Sequence, residues 1–275
     1  MKYTLLVTVM LLSVMVTVGQ KLKPEEIIAK HIEAIGGAEN LNEARTRAAA
    51  GTAHFRSKLP ARETDGRAVI ASDPNNMMFF LQLNSQEYPN EKIGYFDGKT
   101  SLPFVTAGAR SPLGAFIADH DAILSNGLFL GAITGQWTLS DLQKNRAVFT
   151  GAGGKRINGR KTLGIEYAPR GSSIQEFSVK LYFDAETFHH LGTEYRRQLH
   201  STQDRFGQLG RQAGVKLTLT ETFGDHKKVD SLTLPHSYTA HYLTDSNSGV
   251  YEFTWKVNVE EYRLKAEFVD NFFKF

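Results

Sequence analysis

The side chains best suited to chemistry in this chain are nine histidines, and their spacing decides what they can do. His189 and His190 are adjacent, and neighbouring side chains on a strand point to opposite faces, so the two cannot share a ligand. His236 and His241 are an odd number of residues apart and separate in the same way. No His-Glu-x-x-His pattern occurs, and the absence of cysteine removes thiolate ligands, disulfides and thiol catalysis. Asp119-His120-Asp121 has the composition of an acid–base or metal cluster. On a helix, however, the three side chains fan across about half the circumference, which reads more simply as a solvated face with His120 at its border. Gly151-Ala152-Gly153-Gly154-Lys155 resembles a phosphate loop. That spacing would need glycine where Phe149 stands and serine or threonine where Arg156 stands, and a strand rather than a helix follows, so a hairpin turn is expected. There is no Gly-x-Ser-x-Gly elbow. No catalytic residue, metal or cofactor is expected, and the protein is not expected to be an enzyme.

What the sequence offers instead is apolar surface in a regular pattern. Residues 215–259 hold three segments in which apolar and polar residues alternate. Val215, Leu217, Leu219 and Phe223 oppose Lys216, Thr218, Thr220 and Thr222, while Tyr251, Phe253, Trp255, Val257 and Val259 oppose Glu252, Thr254, Lys256 and Asn258. Period-two alternation marks strands with one apolar and one wet face. Residues 77–83 add Phe79, Leu81 and Leu83 to such a face. Many strands and few helices predict a closed or half-closed barrel, and a barrel wider than its side chains can fill encloses a cavity. The residues expected to line it and bind an apolar ligand are Phe79, Leu81, Leu83, Leu217, Leu219, Phe253 and Trp255, with Phe116, Ile117 and Phe129 from a covering segment.

Two elements can supply the cover. Residues 23–35 predict a helix, with Pro24 at its first position, Glu25 and Glu26 near the positive end of the dipole, and a stripe of Ile27, Ile28, His31, Ile32 and Ile35 ending at Gly36–Gly37. Residues 38–44 add a turn or two. Residues 111–139 interrupt the strands: Ser111 can cap a helix, Pro112 can start it, and Leu113, Phe116, Ile117, His120, Ile123 and Leu124 form its stripe up to Gly127. The remaining expected strands are 48–55, 67–72, 93–96, 100–104, 147–150, 156–157, 162–169, 178–184 and 190–199. A polar loop is expected at 203–214, turns at 224–225 and 245–249, and an aromatic tail packed at the sheet edge.

Residues 1–19 read as a secretory signal peptide, with Lys2 before an apolar run and small residues Thr17 and Gly19 placed for cleavage near Gly19–Gln20. A periplasmic or secreted protein is therefore expected, with 20–275 as a single domain. The formal charge of +3 is interspersed, which leaves no electrostatic footprint for nucleic acid. Arg196, Arg197, Arg205 and Arg211 form the one basic excess and read as a solvated strand face.

In order, these features resemble the LolA/LolB-like fold. Two local stretches carry the resemblance: Lys30-His31-Ile32-Glu33-Ala34-Ile35-Gly36-Gly37-Ala38-Glu39-Asn40-Leu41, and Val229-Asp230-Ser231-Leu232-Thr233-Leu234-Pro235. The resemblance implies a mainly β (α+β) fold, a single antiparallel sheet curled into an incomplete barrel with the N-terminal helix and the inserted helix at its concave face. It also implies a partner, a lipid or lipoprotein acyl chain, and a role in outer membrane lipoprotein sorting. The alternative is a non-catalytic envelope structural or interaction module with a self-filled barrel, pairing with an envelope membrane protein. A monomer is expected in either case.

Overall fold

The computed structural model describes residues 22–142, 147–168, 177–199, 215–246 and 249–274. The expected signal peptide, its cleavage point and the 203–214 loop lie outside them.

The first strands step outward to one edge of a sheet: β1 (Arg47–Ser57), β2 (Arg62–Ser72), β3 (Met77–Leu83), β4 (Asn90–Phe96) and the short β5 (Lys99–Ser101). The later strands start at the other edge and step back: β6 (Val148–Ala152), β7 (Arg156–Ile157), β8 (Arg160–Ala168), β9 (Phe177–Asp184), β10 (His190–Leu199), β11 (Val215–Val229), β12 (Leu232–Ser246) and β13 (Gly249–Leu264). The order is β5-β4-β3-β2-β1-β13-β12-β11-β10-β9-β8-β6, with β7 beside β8. Every pairing is antiparallel, and β1 joins β13 in the middle. The sheet is not closed, which fits the incomplete barrel expected from the sequence.

This order has a direct consequence. The chain must pass from the β5 edge to the β6 edge, and it does so across the inner face of the sheet. The crossover contains α3 (Pro112–Ala118), α4 (Ala122–Ser125) and two 3-10 turns, Gly131–Ile133 and Thr138–Ser140. Beside it lie α1 (Pro24–Ala34) and α2 (Ala38–Glu43). Phe55, Ile70, Phe79, Leu81, Ile93, Tyr195, Leu219, Phe223, Tyr238, Trp255 and Val257 form one buried cluster with Ile28 and Leu41 of the first helices and Leu113, Phe116, Ile117, Leu124, Phe129 and Leu130 of the crossover.

Several boundaries differ from expectation for physical reasons. The inserted helix breaks at Asp119–Asp121 into α3 and α4, where His120 returns its Nδ1 to the Phe116 carbonyl at 2.7 Å. The strand β2 starts at Arg62 rather than Arg67, because the polar residues 62–66 pair in register with β1. Gly224–Asp225 is not a turn: β11 runs through it to Val229, Asp225 holds a φ of 51°, and the chain reverses at Asp230–Ser231. The aromatic tail packs on the opposite face of the sheet rather than its edge, with Phe268, Phe272 and Phe273 against Ala71 and Met78. Ser111 does cap α3, accepting from the Gly114 N–H at 2.8 Å. Gly51 sits at a register shift between β1 and β13, as a strand glycine suggests.

Gly36 ends α1 at a φ of 127° against the β11–β12 turn, where an added Cβ would lie 2.5 Å from the Ser231 carbonyl oxygen. Gly37 has open space at the same point. Gly36→Ala should therefore cost about 2 kcal/mol or more in urea denaturation, clearly more than Gly37→Ala.

Candidate functional site

A chain crossing an apolar floor carries backbone N–H and C=O groups that water cannot reach, and each needs a partner. In the crossover these partners are polar side chains rising from the sheet and from α1. The Leu130 N–H donates to Glu221 Oε1 at 2.8 Å. The Ala132 carbonyl accepts from Arg47 Nη1 at 3.1 Å, and Arg47 Nε donates to the Ala44 carbonyl at 2.7 Å. The Gly135 N–H donates to Ser72 Oγ at 2.8 Å. Trp137 Nε1 donates to His31 Nε2 at 3.0 Å, so the ring proton sits on Nδ1 and donates to the Phe188 carbonyl. Burial depresses the His31 pKa to about 3 and holds the ring neutral, and it lowers Arg47 only to about 10, so Arg47 stays charged.

The first anchor is a pair of hydrogen-bond relays that converge on Glu91. Trp255 Nε1 donates to Tyr88 Oη at 2.8 Å, and Tyr88 donates to Glu91 Oε2. From the other side, the Gly114 N–H donates to Ser111 Oγ, and Ser111 donates to Glu91 Oε1 at 2.8 Å. Glu91 on β4 thus ties the N-cap of α3 to β13. Burial pushes its pKa up to about 7, while the hydrogen bonds from Ser111 and Tyr88 pull the other way.

Glu221 is the second. It accepts from Leu130 N–H, from Tyr238 Oη at 2.9 Å and from Tyr195 Oη at 2.7 Å. The Tyr195 hydroxyl also lies 3.1 Å from the Leu128 carbonyl and has one proton to give. With Glu221 ionised that proton goes to the carboxylate. With Glu221 protonated, the acid can donate to Tyr195 and Tyr195 to Leu128, which satisfies one more buried group of the crossover. Desolvation raises the Glu221 pKa to about 7.

Beside the N-terminus of α3 the cover leaves a groove of about 670 Å³. Phe55, Tyr88, Val105 and Phe253 wall it, with Pro60 and Pro112 at its sides and Arg62, Glu63, Glu87 and Arg110 around its rim. Of the residues expected to line a ligand cavity, only Phe253 lies on this groove. Phe79, Leu81, Leu83, Phe116, Ile117, Phe129, Leu219 and Trp255 are buried against one another, and Leu217 is half-buried beside them. The floor and its cover are in contact, as in Phe79 with Phe129 at 5.6 Å and Phe116 with Tyr242 at 5.3 Å between ring centroids.

The anchors escaped the motif search because they belong to no motif. Their signal is a charge in an apolar register: Glu221 falls between Leu219 and Phe223 on the inner face of β11, Glu91 precedes Ile93 on β4, and Arg47 precedes Ala49 on β1. The histidine readings resolve into local contacts. His189 stacks on His226 at 4.5 Å, His190 is buried beside Trp137, and His120 stacks on Phe177 at 4.3 Å. Among the described residues no group of three or more His, Asp or Glu is arranged to hold a metal.

The raised Glu221 pKa fixes a sign. Its native state holds the proton more tightly than the unfolded chain, so its contribution is full below pH 4.5 and is lost as pH rises through about 7. His31 has the opposite sign, full above pH 6.5 and lost on acidification. Glu221→Gln reproduces the protonated arrangement, so between pH 5 and pH 8 its stability should fall less than that of the unmodified protein, by about 2–3 kcal/mol in urea denaturation.

No family model and no curated protein matches the chain. Solved structures do. A putative outer membrane lipoprotein-sorting protein domain from Vibrio parahaemolyticus is 11% identical, with 90% of this chain and 95% of that one covered at a TM-score of 0.45. A LolA superfamily protein from Nitrosomonas europaea is 12% identical, with 92% and 97% covered at 0.45. A DUF1329 family protein from Desulfovibrio piger is 9% identical, with 91% and 96% covered at 0.48. Across most of its length, then, the chain is similar to solved lipoprotein-sorting and LolA-superfamily structures.

Proposed function

We propose that the protein is a non-enzymatic binder of lipid acyl chains that works outside the cytoplasm, and that the conformation described is its closed one. One observation supports this reading: the apolar wall of the open groove continues beneath the crossover that covers the rest of that face. Phe253 lies on the groove, Trp255 follows it on the same face of β13 at 6.2 Å between rings, and Phe79, Leu81, Leu83, Leu217 and Leu219 extend that face. An acyl chain entering beside Phe253 would take the places of Phe116, Ile117 and Phe129.

The magnitudes suit an exchange. Burying a methylene is worth roughly 0.8 kcal/mol, so a chain of about ten gives about 8 kcal/mol. Withdrawing Phe116, Ile117 and Phe129 from the floor costs about 2 kcal/mol each. The small difference lets the cover re-form when the chain leaves, which a carrier requires. The packed floor also favours a second reading, in which the cover never lifts and the protein is an envelope interaction module.

Displacement of a fluorescent fatty acid and native mass spectrometry separate the two. Binding is expected, weakened about tenfold by Phe253→Arg at the groove. An apo mass with no displacement supports the interaction module and overturns the carrier.

A further inference from the structure

At the far end of the strands from the groove lies a second cavity, of about 380 Å³, within the usual size range of about 300–1,000 Å³ for ligand sites. It is built where α2 meets β1 (Arg45), at the β2–β3 turn (Asn75), at the end of β4 (Tyr95, Asp97), behind α4 (Ser125, Asn126) and along the returning crossover (Gln136, Trp137, Ser140, Asp141). Its floor depends on two close backbone approaches. A Cβ on Gly135 would lie 1.7 Å from the Arg45 carbonyl oxygen, and one on Gly127 would lie 1.8 Å from that of Gln136.

The lining weighs against two ligand classes. Amide, hydroxyl and charged side chains stand beside the apolar faces of Tyr95 and Trp137, which suits a ligand with both polar and apolar surface better than an acyl chain. The lining holds two carboxylates, Asp97 and Asp141, and one guanidinium, Arg45, which is already paired with Asp141 at 3.0 Å, so an anion would meet net negative charge. What suits the site is a neutral molecule rich in hydroxyls, each able to donate to a carboxylate or amide oxygen and to accept from an amide or guanidinium N–H, with an apolar face to lie against Tyr95.

We propose that this cavity binds a neutral saccharide. The proposal does not depend on the acyl-chain reading, and the chain contains its own pair of reporters. It has two tryptophans, Trp137 lining this cavity and Trp255 hydrogen-bonded to the groove residue Tyr88. In fluorine NMR of the 5-fluorotryptophan protein, N-acetylglucosamine or maltose should shift the Trp137 resonance with a roughly millimolar Kd and leave Trp255 in place. Asn75→Ala, an exposed change on the rim, should weaken that response about tenfold without altering the Tm. Inorganic phosphate should be silent. A Trp137 resonance unmoved by either sugar, moved as much by phosphate, or equally responsive in Asn75→Ala overturns the proposal. A fatty acid that leaves Trp255 unmoved counts against the acyl-chain reading alone.

Discussion

The structure depends on one constraint: a chain that builds its sheet outward to one edge must cross the sheet to start the other edge, and here it crosses the inner face. The crossover after β5 is therefore obligatory, and it carries backbone polar groups over a floor of Phe79, Leu81, Tyr238 and Trp255. Apolar packing by Phe116, Ile117 and Phe129 stabilises it without direction. The direction comes from Glu91, Glu221, Arg47, Ser72 and His31, each of which meets one point of the passing chain. Position and stability are thus set by different residues.

That division bears on how the cover could move. A strand lifted from the middle of the sheet would break a ladder on both sides. Among its described residues the crossover pairs with no strand of the sheet. It is attached through a few side-chain hydrogen bonds and an apolar contact that another apolar body could replace. The two glutamates add a dependence on protonation, since burial has brought both near neutrality. Tyr195 makes the coupling concrete, because its single proton serves either Glu221 or the Leu128 carbonyl.

Much of the fold was legible in the sequence because it follows local periodicity. The strands β3, β7 and β10 fall where alternation and turn residues put them, and the Pro24 helix and the Ser111 cap follow from terminal chemistry. Failures occur where a partner strand overrides local character. Residues 62–66 are polar and exposed but pair with β1, and Gly224–Asp225 stays in a strand because Ser237 and Pro235 continue to pair around it. The inner-face residues were legible as a set, but whether they enclose space depends on the volume that Phe116, Ile117 and Phe129 bring from a segment remote in sequence. Glu221 was hidden because a search for alternation passes over the one charge that interrupts it.

An acyl-chain carrier of this design needs a cover that separates from the sheet, and hydrogen exchange at the Leu130 and Gly135 amides tests that most directly. Both are bonded to sheet side chains, Glu221 and Ser72, rather than to a ladder. If the cover lifts, these amides exchange faster than those in the middle of β12, and added fatty acid speeds them further while β12 is unchanged. If they exchange only with β12, at the rate of global unfolding and without regard to fatty acid, the cover is a fixed part of the core and the protein is not a carrier that opens there.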